Sequence, residues 1–200
     1  MVIVVTGGIG SGKSQVCKIL KESYGCDVYE ADARAKELYV RYPELLSAIE
    51  KALDCILKDE DGVFRPALLA RRIFGDDSAV GVVENLLFPY MVKDFKDFSE
   101  NSRNIIIFES ATVLEKRQFD GLYDKVILVD APFEVRLERA CCRDSASREQ
   151  ILARMQSQKM MNEVSEGKTC GKIDEIIINN GTVDDLKKAV KGAMERLMTA

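Results

Sequence analysis

The chain has 200 residues, enough for one domain of ordinary size with an insertion, and a chain this long buries roughly 70% of the surface its unfolded form exposes. With 46% hydrophobic and 31% charged residues and no apolar stretch near the ~20 residues of a membrane span, the composition predicts a soluble cytoplasmic protein with no membrane partner. A net charge of -4, with no face dominated by Lys and Arg, argues against nucleic-acid binding; the lack of histidine excludes His-based triads and metal sites and leaves Asp, Glu, Lys or a similar group as any general base.

The apolar run Val2-Ile3-Val4-Val5-Thr6 predicts a strand, too short for a signal-peptide core, and it leads directly into Gly7-Gly8-Ile9-Gly10-Ser11-Gly12-Lys13-Ser14. That octet satisfies G-x-x-x-x-G-K-[ST]. Glycines let backbone N–H groups turn inward around phosphates, Lys13 reaches the β/γ oxygens and the Ser14 hydroxyl ligates Mg²⁺. A helix over 13–22 then adds its positive N-terminal dipole. Residues 26–30 form a short strand candidate, and helical periodicity resumes over 33–40, so Asp32 falls where a strand gives way to a helix. Pro43 opens a helical pattern over 44–53, residues 59–62 make a turn, and 65–74 and 78–98 predict further helices, the second interrupted or kinked at Pro89.

Sheet signals return at 104–109 and 124–130, each a near-continuous apolar run of the kind that is buried on both faces, and again at 175–178. Pro132 suits the first turn of a helix, and Ser147 with Gln150 has capping-box spacing ahead of a polar helix. Residues 182–198 close the chain as an amphipathic helix with Leu186, Ala189, Val190, Ala193 and Leu197 on one face. Strands alternating with helices predict an α/β doubly wound parallel sheet, and ligands of such sheets bind at the carboxyl ends of the strands. The six cysteines include no C-x-x-C pair, which predicts reduced thiols rather than a disulfide framework or zinc site, with Cys141 and Cys142 the more reactive.

Phosphoryl transfer asks for a metal, positive charge on the transferring group, and a carboxylate that orients the attacking hydroxyl and accepts its proton. Asp32 is the candidate base, with a helix N-cap as its structural alternative. Glu109, at a strand end, is a candidate for holding the metal through water or positioning substrate, and otherwise a solvated acid. Asp130, ahead of Ala131-Pro132, suits a structural cap or turn. Arg136, Arg139 and Arg143 share one helical side at spacings of three and four, a fork suited to a triphosphate, with solvated surface arginines as the alternative. Arg148, Arg154 and Lys159 follow on a helix that could close as a lid.

Together these residues resemble the dephospho-coenzyme A kinase family, whose opening T-G-G-I-G-S-G-K-S is reproduced by residues 6–14. Its D-A-D-x-x-A-R block is similar to Glu30-Ala31-Asp32-Ala33-Arg34-Ala35-Lys36, and its D-G-x-x-x-R region to Asp61-Gly62-Val63-Phe64-Arg65, with Arg65 one position early. Its R-x-x-x-R-D entry to the lid matches Arg139, Arg143 and Asp144, its R-x-x-x-Q element matches Arg154 and Gln158, and its A-D-x-x-I-x-N-x-G close resembles residues 173–181. Glu30, Lys36 and Phe88 depart from the family's Asp, Arg and His, and the P-L-L-F-E block becomes Ala111-Thr112-Val113-Leu114-Glu115. Lys36 supplies charge without a bidentate fork.

The resemblance implies a P-loop kinase-like fold: a single domain with a core of residues 1–32, 104–139 and 172–200, a helical substrate-binding insertion (33–103) for the coenzyme A part, and a helical lid (140–171). It implies ATP and Mg²⁺ as cofactors and dephospho-coenzyme A as substrate, with no obligate protein partner evident. Asp32, Lys13 and Arg139 would be catalytic. ATP would be held by Gly8, Ile9, Gly10, Ser11, Gly12, Lys13, Ser14, Gln15, Arg139, Arg143 and Asn179, the metal by Ser14, and the acceptor by Asp32, Lys36, Arg65, Glu109 and Glu115. Another P-loop kinase for a nucleoside or nucleotide would use the same loop, lid and acid, although the helical insertion favours a larger acceptor. A GTPase-like switch is the alternative from another class. Its D-x-x-G motif is matched only in the polar turn at 59–62, and no N-K-x-D guanine reader is present. A non-catalytic relative that only binds coenzyme A is a further alternative.

Overall fold

The computed structural model describes residues 1–144, 146–156, 158 and 172–199. They fall into two compact units, one of residues 1–29 and 102–200 and the other of residues 30–101.

The first unit is built on a five-stranded sheet of β1 (Val2–Thr6), β2 (Asp27–Glu30), β3 (Ile106–Glu109), β4 (Lys125–Asp130) and β5 (Glu175–Ile178), in the order β2-β3-β1-β4-β5. β1 pairs in parallel with β3 and β4, and β4 with β5, so these strands deliver their carboxyl ends to one edge. The continuous apolar runs have the expected cause: Ile3, Val4 and Val5 in β1 and Ile127, Leu128 and Val129 in β4 are wholly buried, pointing alternately to two covered faces. One face packs on α1 (Lys13–Tyr24) and α8 (Val183–Thr199), where Val16, Leu20, Val190 and Met194 have no exposed surface. Each such side chain contributes about 1.5–3 kcal/mol over its exposed state, which makes the centre of the sheet a stiff platform for the loops at its edge.

Two further helices belong to this unit, α6 (Phe133–Asp144) and α7 (Arg148–Gln156), and they share a small core of Leu137, Ala140, Ile151 and Met155 with Ile9 against it. α6 starts one residue after Pro132, whose carbonyl accepts the Arg136 N–H at 3.0 Å. The Ser147–Gln150 capping box is formed in both directions: Gln150 Oε1 accepts the Ser147 N–H at 3.1 Å, and Ser147 Oγ accepts the Gln150 N–H at 3.3 Å. Thr182 and Asp185 cap α8 in the same reciprocal way.

The second unit is helical: α2 (Ala31–Arg41), α3 (Pro43–Leu53), α4 (Pro66–Ile73) and α5 (Asp77–Asn101), with proline in the first turn of α3 and α4. α5 runs unbroken through Pro89, where the sequence predicts an interruption or kink. Leu87, Phe88 and Met91 are buried around that proline, and their packing offsets the helical hydrogen bond that it cannot donate. Asp94 of α5, itself buried, receives Arg41 at 2.9 Å and Arg34 at 3.3 Å and so ties α2 to α5. In the turn at 59–62, Asp59 accepts the N–H groups of Asp61 and Val63.

None of the five described cysteines is in a disulfide; burial pushes the Cys26 thiol up to about 11, which keeps it protonated and unreactive near neutral pH. Cys170 and Lys159 lie outside the described residues.

Candidate active site

β1 ends at Thr6 and α1 begins at Lys13, so the glycine-rich loop lies between the central strand's carboxyl end and a helix N-terminus. Gly10 adopts φ +76°, and a Cβ there would come within 2.0 Å of the Arg136 carbonyl oxygen; a Cβ on Gly7 would come within 2.1 Å of the Val129 carbonyl oxygen. The loop thus rests directly on the backbone of β4 and α6. Gly10→Ala is expected to weaken ATP binding at least tenfold, because the left-handed φ alone costs ~1–2 kcal/mol and the carbonyl forces the loop off its seat. Calorimetric ATP titration of the folded variant checks it.

Lys13 folds back over the loop and donates from Nζ to the carbonyls of Gly7 (2.9 Å) and Gly8 (3.4 Å). The loop is braced from several sides. The Asn179 side-chain amide donates to the Ser11 carbonyl at 2.8 Å, the Asn179 N–H donates to the Asp130 carbonyl at 2.7 Å, and Arg139 donates to the Asn179 carbonyl at 3.0 Å. Gln158, buried, accepts the Ile9 N–H at 2.8 Å. Beside these groups opens a cavity of about 260 Å³ lined by Gly12, Gln15, Arg139, Asn179, Thr182 and Leu186, among others. On the other side of the α1 N-terminus, Ser14 Oγ donates to Glu109 Oε1 at 3.4 Å. A hydroxyl beside a carboxylate is a hard-oxygen pair of the type that suits Mg²⁺, which takes few protein ligands and completes its shell with water and phosphate. Among the described residues no cluster of three or more acids or cysteines offers a dedicated metal cage.

The three arginine side chains of the series turn to different partners. The Arg136 side chain is buried, with its guanidinium 5.9 Å from the ring centroid of Phe133; Arg139 turns to Asn179, and Arg143 pairs with Asp144 at 2.6 Å. Helical spacing put the three Cα positions on one side, but long side chains follow the nearest acceptor or sheltered surface. Arg154 also reaches Asp144, at 2.6 Å, which joins α7 to the end of α6. The Arg143 guanidinium, followed by that of Arg154, holds the Asp144 carboxyl down at about 2. Because the folded value lies below the unfolded value of ~3.9, this contribution is complete above pH ~4 and is lost as the pH falls through about 2. The melting temperature of Asp144→Asn is therefore expected to lie below that of the parent chain by a constant gap above pH ~4, a gap that closes toward pH 2. Calorimetric melts of both proteins across that window measure it.

The remaining candidates belong to other places. Asp32 is exposed in the first turn of α2, whose N-cap is Glu30, so capping is not its role. Lys36 is exposed one turn further along the same helix. Arg65 is anchored on the Asp59 carboxylate, which accepts from its Nε at 2.6 Å; the Val63 N–H and then Arg65 hold Asp59 below the usual carboxylate range. Glu115 is exposed in a 3-10 turn, Val113–Glu115, after β3. Gln158 as a direct partner of the loop is apparent only in the structure, since a side chain 149 positions away leaves no local signal. The Thr182–Asp185 cap, by contrast, was available as T-x-x-D spacing.

A glycine-rich loop at the end of the central parallel strand, with an arginine-bearing helix and a carboxylate beside it, defines a P-loop protein of the small-molecule kinase class. A crystal structure from Thermus thermophilus superposes with a TM-score of 0.80, at 27% identity, over 98% of this chain and 97% of that one. The family model for dephospho-CoA kinase matches residues 1–185, and the chain belongs to that family. Relatives named dephospho-CoA kinase include one from Chlorobaculum tepidum, 34% identical over all of this chain and 96% of the relative, and one from Porphyromonas gingivalis, 40% identical over 78% of this chain and 77% of the relative.

Proposed function

We propose that this protein transfers the γ-phosphoryl group of ATP to the ribose 3'-hydroxyl of dephospho-coenzyme A, giving coenzyme A and ADP in the last step of coenzyme A biosynthesis. The observation that carries this reading is the family match over residues 1–185 together with an intact phosphate loop braced on β4 and α6. In the reaction the 3'-oxygen forms a bond to the γ-phosphorus, the bond from that phosphorus to the β–γ bridging oxygen breaks, and the hydroxyl proton passes to Asp32.

The roles are assigned as follows. The backbone N–H groups of residues 8–15 cradle the phosphates and Lys13 neutralises the β/γ oxygens. Arg139 and Asn179 border the cavity beside α1, whose aliphatic and planar lining suits the nucleoside end of ATP. Arg143, released from Asp144, would reach the phosphates; residues 159–171 of the lid expected from the sequence lie outside the described residues. Ser14, with Glu109 nearby, would hold Mg²⁺, which when bound neutralises charge on the transferring phosphoryl group. The helical unit would receive the coenzyme A part, with Lys36 and Arg65 as candidate charges for its phosphates, and Glu115 is a further candidate for binding the acceptor. A cytoplasmic protein that needs no nucleic acid, membrane or obligate protein partner fits this chemistry.

Incubation with ATP, Mg²⁺ and dephospho-coenzyme A is expected to yield ADP and coenzyme A in equal amounts. Turnover of a nucleoside monophosphate with none of dephospho-coenzyme A would overturn the reading.

A further inference from the structure

Four side-chain polar atoms among the described residues are shielded from solvent and have no hydrogen-bond partner: Thr6 Oγ1, Ser11 Oγ, Asp130 Oδ1 and Arg136 Nε. All four lie in or against the phosphate loop. Thr6 ends β1, Ser11 is in the loop, Asp130 follows the Val129 carbonyl that meets Gly7, and Arg136 supplies the carbonyl that meets Gly10. Buried groups without partners are rare and costly, so their concentration at one place points to an arrangement poised for change.

Asp130 and Arg136 stand at the centre of it. Asp130 Oδ1 and Arg136 Nε are 3.8 Å apart, close enough to attract but too far for a hydrogen bond, and the Arg136 side chain is only 9% exposed. A movement of under about 1 Å would join the two atoms in a charge-assisted bond. Arg136 carries, and Asp130 follows, the carbonyls on which the loop rests, so a shift of the loop bears on the backbone of both.

We propose that Asp130 and Arg136 are positioning residues for the phosphate loop: when the loop takes up a nucleotide's phosphates, their side chains close into a direct hydrogen bond, and that closure contributes to nucleotide affinity. The pair does not touch the reacting atoms. Its effect belongs to ATP binding and to the placement of α6, which carries Arg139 one turn on. The proposal rests on the kinase reading only in taking the nucleotide to be ATP, and direct binding of a non-hydrolysable ATP analogue tests it without any acceptor.

Asp130→Asn, Arg136→Gln, Arg136→Lys and the double variant Asp130→Asn/Arg136→Gln are compared for ATP KM, kcat, analogue Kd and melting temperature without nucleotide. Each neutralising single variant is expected to raise Kd and KM about tenfold while kcat changes far less. The double variant should be no weaker than the worse single, and Arg136→Lys should recover part of the loss. In the parent chain the Arg136 Nε–H resonance should move downfield on adding the analogue. A purely structural pair would lower the melting temperature and leave the Kd of the folded protein unchanged, and that result overturns the proposal, as do additive losses or an unmoved resonance. Should a single variant fail to fold, the double variant, free of both charges, decides: a raised Kd supports the pair and a parental Kd refutes it.

Discussion

Asp32→Asn is expected to lower kcat by ~10²–10⁴ while leaving the affinity for ATP within about twofold of the parent chain, the range that separates a general base from a binding residue. A ribose hydroxyl is a poor nucleophile until its proton has somewhere to go. Asparagine keeps the size of aspartate and can still hydrogen-bond the hydroxyl, but it cannot accept the proton, so the loss falls on the chemical step. The position makes this test clean. Asp32 is exposed in the first turn of α2, Glu30 is the N-cap, and no side-chain capping bond is at stake. Only the interaction of the carboxylate with the helix dipole is forfeited, about 0.3–1 kcal/mol, and the variant should fold normally. Single-turnover rates and calorimetric ATP titration on the same preparation separate chemistry from binding. Near-parental turnover would remove Asp32 from the role and direct attention to Glu109, the partly buried carboxylate 3.4 Å from Ser14 Oγ.

Much of the architecture was legible because it depends on local pattern. Near-continuous apolar runs at 2–6, 104–109 and 124–130 pointed to buried strands, and the glycine spacing after the first of them pointed to a loop between β1 and α1, where the structure has it. The loop's glycines, Lys13 and Ser14 need no tertiary information, since their chemistry is set by their spacing. What escaped was everything that depends on where long side chains turn. Arg136, Arg139 and Arg143 have the periodicity of a fork, yet one is buried beside Phe133 and Asp130, one donates to the Asn179 carbonyl and one pairs with Asp144. Pro89 marks an interruption or kink by propensity, yet α5 is not interrupted there and its flanks are buried. Asp130 suits a turn residue by its neighbours, but its carbonyl anchors β5's exit at Asn179 and its carboxylate faces Arg136 across 3.8 Å. In each case tertiary contacts override a local preference worth only a few kcal/mol.

Lys13→Ala should damage nucleotide affinity and rate together, lowering kcat/KM for ATP by ~10³ or more, which is the scale of removing a donor aimed at developing charge plus its ground-state contact. The Lys13 ammonium already lies over the loop, donating to the carbonyls of Gly7 and Gly8, so it is held near its site of action and little reorganisation is needed to engage the β/γ oxygens. Alanine removes the positive charge and leaves those carbonyls to other donors. Arginine should not rescue it, because a planar fork cannot replace a compact ammonium in a loop seated within contact of the Val129 and Arg136 carbonyls. The contrast with Asp32→Asn is the informative part. If Lys13 neutralises phosphate charge in the ground state and more strongly in the transition state, KM rises and kcat falls; if it serves only the transition state, kcat alone falls. A variant that kept the parental ATP affinity and rate would mean that the backbone N–H groups and the metal bind and activate the triphosphate unaided, and would separate the loop's recognition of phosphate from its lysine altogether.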